Sequence, residues 1–213
     1  MSGSSSARDR VSTIIAALGE CYGPLPWWRA PPEEVMIGAV LVQQTRWENV
    51  ESALDRLRGA GLLSLEALEG ASAETVEEAV RCAGFFRVKT RRLKALARFV
   101  LGTHGSVEAM ADVPTDVLRR ELLGVTGIGE ETADAILCYA FGRCSFVIDA
   151  YTRRLCSCAG VEEPPGGYRP IFEAILPHEN VRYRETHAHI VEHGKRYCSR
   201  RRCEGCSIRS SDA

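Results

Sequence analysis

Apolar residues recur at the spacing of one helix face along almost the whole chain, and that periodicity restricts the fold more than any other feature. Val11, Ile14, Ile15 and Leu18 share a face, as do Leu93, Leu96 and Val100. Residues 33–43, 47–60, 74–83, 115–123, 130–141, 149–158, 168–176 and 181–193 follow the same pattern. Breaks rich in Gly, Pro or Asn separate most of these segments: "GPLPWWRAPP", "LRGAGLL", "GTHG", "GVTGIG", "VEEPPGG" and "LPHEN". One strand-like fragment, "CSFVI", is too short and isolated to build a sheet. An all-α protein of about ten short helices follows, with no internal repeat and with "VEEPPGGYRP" as its most linker-like segment.

The 213 residues suffice for one large domain or two small ones. The chain is 45% apolar and has no apolar run of the ~18 residues that a membrane span needs, so no membrane partner is expected. The N-terminus, MSGSSSARDR, lacks a hydrophobic h-region, which predicts a cytoplasmic protein. A formal net charge of −1 argues against a uniformly basic nucleic-acid binder, but the distribution is uneven. Residues 87–98 (RVKTRRLKALAR) carry six bases and no acid, and 195–202 (KRYCSRRR) carry five more. Solvated helix faces would account for either run alone.

The stretch "LLGVTGIGEETADAIL" (122–137) has a more particular geometry. Glycine reaches φ > 0 without a Cβ clash, so Gly127-Ile128-Gly129 can aim successive backbone N–H groups one way, at the mouth of a helix opening near Glu130. The helix N-terminus adds partial positive charge, and the result is an anion site suited to a phosphate. Helices 115–123 and 130–141 would make it a helix–hairpin–helix, with a ligand-free tight turn as the plainer alternative. Twenty residues beyond Gly129, "FVIDAYTRRL" places Asp149 before a helix. Asp is a favoured N-cap and needs no other purpose there. Beside a phosphate-binding hairpin, however, a carboxylate can act on a sugar or base.

Together these segments resemble the endonuclease III superfamily of helix–hairpin–helix DNA glycosylases. "LLGVTGIGEETADAILCYAFGRCSFVIDAYTRRL" resembles its hairpin and catalytic-aspartate segment, and "MIGAVLVQQTRWENVESAL" its early helix with a glutamine-bearing turn. "AGFFRVKTRRLKALA" resembles its Gly-aromatic-x-x-Lys segment, and "HAHIVEHGKRYC" the lead into its iron–sulfur loop. The resemblance implies an all-α, two-domain fold. Residues 31–143 would form a six-helix bundle containing the helix–hairpin–helix (115–141), and 1–30 would join 144–213, whose cysteine loop spans 198–206. It further implies a monomer that acts on double-stranded DNA in the nucleoid, with a damaged or mismatched base flipped into a cleft. Gln44 falls at the position of the family's wedge, with Gln43 adjoining. Phe85 and Phe86 fall at the second wedge loop, where core packing is the alternative for Phe86. Lys89 and the bases after it would face phosphates, as would the hairpin residues Gly127, Ile128, Gly129 and Thr132.

Bifunctional members carry a lysine two residues after the second hairpin glycine, and it forms a Schiff base with the sugar. Glu131 stands there and cannot form an imine, so the chain resembles the monofunctional members, with little or no lyase activity. Asp149 would stabilise the oxocarbenium-like sugar and position water. Glu131 would line the base pocket or order that water, or else serve as a first-turn acid favourable to the helix dipole. Trp27 and Trp28 adjoin each other in a Pro-rich loop, so at least one lines a surface or cleft, and an aromatic slot suits an electron-poor, positively charged ring. This matches the branch resembling 3-methyladenine glycosylases and implies alkylated purines. Oxidised pyrimidines and mismatched thymine or uracil are the alternatives, and a non-catalytic damaged-DNA binder is another. "QQT" also resembles adenine glycosylases, but those carry a further C-terminal domain not expected here.

Six of the nine cysteines are scattered among apolar residues and are most simply buried hydrophobes. Cys198, Cys203 and Cys206 are spaced C-x4-C-x2-C, against the family's C-x6-C-x2-C-x5-C. The resemblance implies a [4Fe–4S] cluster of structural role, with Asp212, Cys156, Cys158 or a small molecule in place of the fourth cysteine. A zinc site or a metal-free loop is the alternative.

Overall fold

Helix α2 (Pro32–Leu41) is buried on every side from Val35 to Leu41. Its sequence explains this: "VMIGAVL" has no polar residue to turn outward, and such a helix is stable only inside a bundle. In the computed structural model, which describes residues 6–25, 27, 29–198, 204–206 and 208, the chain divides into two compact units. Residues 29–143 form one, and 1–28 with 144–213 form the other. All regular structure among the described residues is helical.

In the first unit α2 is surrounded by α3 (Trp47–Gly59), α6 (Phe86–Phe99) and α8 (Glu130–Ala135). The short helices α4 (Leu65–Gly70) and α5 (Ala73–Val80) pack on α6, and α7 (Thr115–Leu123) pairs with α8. Ser64 and Ser72 cap α4 and α5 by accepting from the backbone N–H three residues on. Helices α6 and α8 each run on into a wider five-residue turn, Val100–His104 and Ile136–Ala140. Arg119 of α7 grips the buried Asp134 of α8 with two hydrogen bonds, Nε to Oδ1 at 2.7 Å and Nη2 to Oδ2 at 3.0 Å, which fixes the two arms of the hairpin against each other.

The second unit consists of α1 (Ala7–Tyr22), α9 (Ala150–Cys158), α10 (Arg169–Ile175) and α11 (Asn180–Arg196). A capping box formed by Ser6 and Asp9 starts α1. Both α9 and α1 lie against α11. The Tyr151 ring occupies the space that a Cβ on Gly194 would fill, so only glycine lets α9 approach α11 there. The fragment "CSFVI" forms no strand; its Phe146 N–H donates to Glu173 at 3.0 Å, and the Phe146 ring stacks on Phe172 at a centroid distance of 4.3 Å. Helix α4 is absent from the periodicity reading because six residues show too little of a period.

Asp134→Ala should lower the unfolding free energy by about 3 kcal/mol, because it strands a partly buried guanidinium. Urea denaturation measures this, and Arg119→Met combined with Asp134→Leu should lose less than Asp134→Ala alone.

Candidate active site

The hairpin is built as its glycines require. Gly127 has φ +89°, a conformation that L side chains rarely adopt, and its missing Cβ is replaced by the side chain of Arg92. Gly129 is the N-cap of α8, and no side chain caps this helix. Ile128 is buried between the two glycines, and Glu130 and Glu131 are exposed in the first turn. The Gln43 amide, arriving from the end of α2, closes the loop from inside. Its Nε2 donates to the Gly127 carbonyl at 3.1 Å and to Thr132 Oγ1 at 2.9 Å. Its Oε1 accepts from Arg92 Nη1.

Several residues expected to face DNA are therefore turned inward. Gln43 and the buried Thr132 hold the hairpin together. Lys89 is 1% exposed and donates its Nζ to the Ala83 carbonyl at 2.6 Å; burial pulls its ammonium down to about 8, and Arg92 adds to the effect. The expectation that Lys89 faces phosphate is corrected on this ground, since its head lies in the bundle. Lys94 likewise donates to the carbonyls of Leu68, Glu69 and Ala71, at the C-terminus of α4. Arg87, Arg91 and Arg98 are the exposed bases of that run.

Two non-glycine residues among those described have φ > 0: Gln44 at 56° and Phe85 at 45°. Both stand in loops singled out by the sequence, and such strain persists where the surroundings impose it. Gln44 is exposed. Phe85 is 63% exposed, whereas Phe86 is half-buried under the guanidinium groups of Arg81 and Arg87, at 4.6 and 5.2 Å from its ring centre. The more exposed ring is thus Phe85.

In the other unit, Asp149 is the N-cap of α9 and is buried. Its Oδ1 accepts from the Thr152 N–H at 2.7 Å and from Thr152 Oγ1 at 2.9 Å, and its Oδ2 lies 3.5 Å from His187 Nε2. Burial pushes this carboxyl upward, but His187 and Thr152 outweigh it and hold the group below the usual aspartate value. His187 is also approached edge-on by the half-buried Trp27, at 5.9 Å between ring centres. Trp28 lies outside the described residues.

The pattern of HhH-GPD superfamily base excision DNA repair proteins matches residues 37–173, which contain both hairpin and aspartate. The chain belongs to this superfamily. A Methanocaldococcus jannaschii protein provisionally named a DNA repair glycosylase is 40% identical over 208 residues, covering 94% of each chain. The H. pylori 3-methyladenine DNA glycosylase, in a structure with 1,N6-ethenoadenine, superposes with a TM-score of 0.72 at 27% identity, over 90% of this chain and 98% of that one. An endonuclease III in a non-covalent DNA complex superposes with a TM-score of 0.75 at 20% identity, over 90% and 87% of the two chains, and establishes the fold. The family is one of base excision DNA glycosylases, and this member has the family's all-helical architecture.

Endonuclease III-like proteins typically carry a [4Fe–4S] cluster. Burial, with Cys158 and Cys206 adding to it, pushes the Cys198 thiol up to about 11. Cys206 Sγ lies 3.2 Å from His193 Nε2. Cys203 and Asp212 lie outside the described residues, and among the described ones no three donors surround a single point. Cys156 is buried, and its thiol is pushed by burial up to about 12.

Thr152 and His187 are site residues that the sequence reading did not assign, and Arg92, read there only as one of the phosphate-facing bases, instead supports the hairpin. The partners of these three lie 3, 38 and 49 positions away, and only Thr152, at the third position after an N-cap aspartate, has a local signal.

Gly127→Ala should destabilise the fold by about 1–3 kcal/mol through its backbone conformation alone. By displacing Arg92 it should also weaken duplex binding, which fluorescence anisotropy measures against Gly124→Ala as control.

Proposed function

We propose that this protein is a monofunctional DNA glycosylase that hydrolyses the N-glycosidic bond of alkylated purines in double-stranded DNA. The observation that carries the reading is Asp149, a carboxylate kept below its usual titration range in a buried site beside Trp27 and His187. Negative charge held where water is scarce opposes the positive charge that develops on the sugar as the base departs. Oδ1 is engaged by Thr152, so Oδ2 addresses the sugar and the incoming water. The hairpin amides and the exposed arginines of α6 hold phosphates, while Gln44 and Phe85 enter the stack vacated by the flipped base. Glu131, in place of an amine, supports base release without strand cleavage. The aromatic Trp27 and the likeness to an alkylpurine glycosylase support the substrate class.

Base release from alkylated, oxidised and mismatched duplexes, followed by mass spectrometry, tests this. Wild type should free 3-methyladenine-type bases, and Asp149→Asn should lose activity by about 10²-fold or more. Borohydride should trap no adduct on abasic-site DNA. Release of oxidised pyrimidines alone would overturn the alkylpurine pocket, and trapping would overturn the monofunctional reading.

The cysteine end belongs to the same proposal: Cys198, Cys203 and Cys206 hold a [4Fe–4S] cluster, with Cys158 as the fourth thiolate because it is near enough to act electrostatically on Cys198. The cluster would supply structural support to a basic loop, and no catalytic step depends on it. Anaerobically purified protein should contain iron and acid-labile sulfide, Cys158→Ser should lose most of both, and Asp212→Ala should keep them.

A further inference from the structure

We propose that His187 is a positioning residue for Asp149, turning Oδ2 toward the reacting sugar. The inference rests on the glycosylase reading above.

The two oxygens of Asp149 are not equivalent. Oδ1 is tied by two short hydrogen bonds to the first turn of its own helix, which fixes the carboxyl group at one end. A group held at one oxygen can still swing about its side-chain bonds, and the second oxygen needs its own restraint to stay on target. His187 Nε2 is the group that Oδ2 meets, 3.5 Å away. Because a carboxylate only accepts, the proposed role requires the tautomer with its proton on this nitrogen.

The distance suits the role. A tight bond of about 2.7–2.9 Å would engage the lone pair that the sugar and water need. At 3.5 Å the N–H orients Oδ2 electrostatically and leaves it available. The imidazole is itself held: Trp27 meets it edge-on at 79°, and Phe146 does so at 6.4 Å and 88°. Trp27 is the aromatic assigned to the base pocket, so one ring touches both the base-binding side and the carboxylate.

Other charges do not take this part. On α9, Thr152 is uncharged and Arg153 is turned to Glu163. On α11, His189 is held to the Gly23 carbonyl at 2.6 Å, His193 meets Tyr22 and Cys206, and Tyr183 is buried against Phe146. Among the described residues, His187 is the titratable side chain acting on Asp149. The sign of the linkage follows. Burial alone raises the carboxyl, and His187 lowers it. Without His187 the carboxylate should protonate at a higher pH, and activity should fade sooner on acidification.

The test uses full-length wild type, His187→Phe, which keeps a ring against Trp27 and Phe146 but no donor, and His187→Gln, which keeps a neutral donor. Carboxyl ¹³C NMR follows the titration of Asp149 and needs no activity. Single-turnover base release from alkylated duplex DNA gives the pH–rate profile, and anisotropy gives DNA affinity. In His187→Phe the titration and the acid limb should both move to higher pH, and the neutral-pH rate should fall about tenfold at unchanged DNA affinity. His187→Gln should recover most of that rate while keeping the acid-limb shift. Wild-type titration and rate in His187→Phe would overturn the proposal, as would the same result in His187→Gln if the phenylalanine variant does not fold. A wild type that releases no base from any duplex would defeat the glycosylase reading, while the ¹³C titration would still decide whether His187 governs Asp149.

Discussion

A carboxylate must remain charged where there is little water to solvate it, and the unit containing Asp149 is arranged around that requirement. An isolated buried anion would take up a proton instead. Here the solvation comes from α9 itself: the Thr152 N–H and hydroxyl replace two waters at Oδ1, and His187 faces the other oxygen. The same helix start that Asp149 caps is thus what keeps it charged, so an N-cap role and the proposed catalytic role of Asp149 are compatible.

On the glycosylase reading the other unit meets a different constraint, that of presenting backbone amides to a phosphate without a side chain in the way. Gly127 supplies the turn, and no side chain caps the start of α8. The supporting groups come from far along the chain, Gln43 from the end of α2 and Arg92 from the middle of α6. Buried α2 serves here as a fixed post, because a helix packed on all sides cannot shift without opening the bundle.

Much of this was legible in the sequence, for reasons that differ by level. Helical periodicity located α3, α7 and α11 because amphipathic helices of nine residues or more carry a clear period, whereas α2 stood out as an unbroken apolar run. It passed over α4, which is too short to carry one. The hairpin and Asp149 were legible because local backbone chemistry writes them into adjacent residues. The direction of the basic side chains was not. "RVKTRRLKALAR" reads as a uniform stripe, yet Lys89 and Lys94 serve carbonyls at the ends of neighbouring segments and Arg92 fills the gap left by a glycine. Composition counts charges; only packing assigns them. His187 was hidden for the same reason, since a histidine in "HAHIVEHGK" gives no sign of which of three will face an acid 38 residues away.

The Gln43 amide has one more consequence. It joins the hairpin to the turn that carries Gln44, so on the glycosylase reading the phosphate grip and the inserting side chain are tied together within one unit. The offset between them is a built-in length, like the jaws of a caliper set once. On the glycosylase reading, such a tool would meet every duplex at the same number of steps from the held phosphate, whatever base lies there. Damage would then be found by how readily a base yields at that fixed place, and recognition would be left to the pocket that receives it.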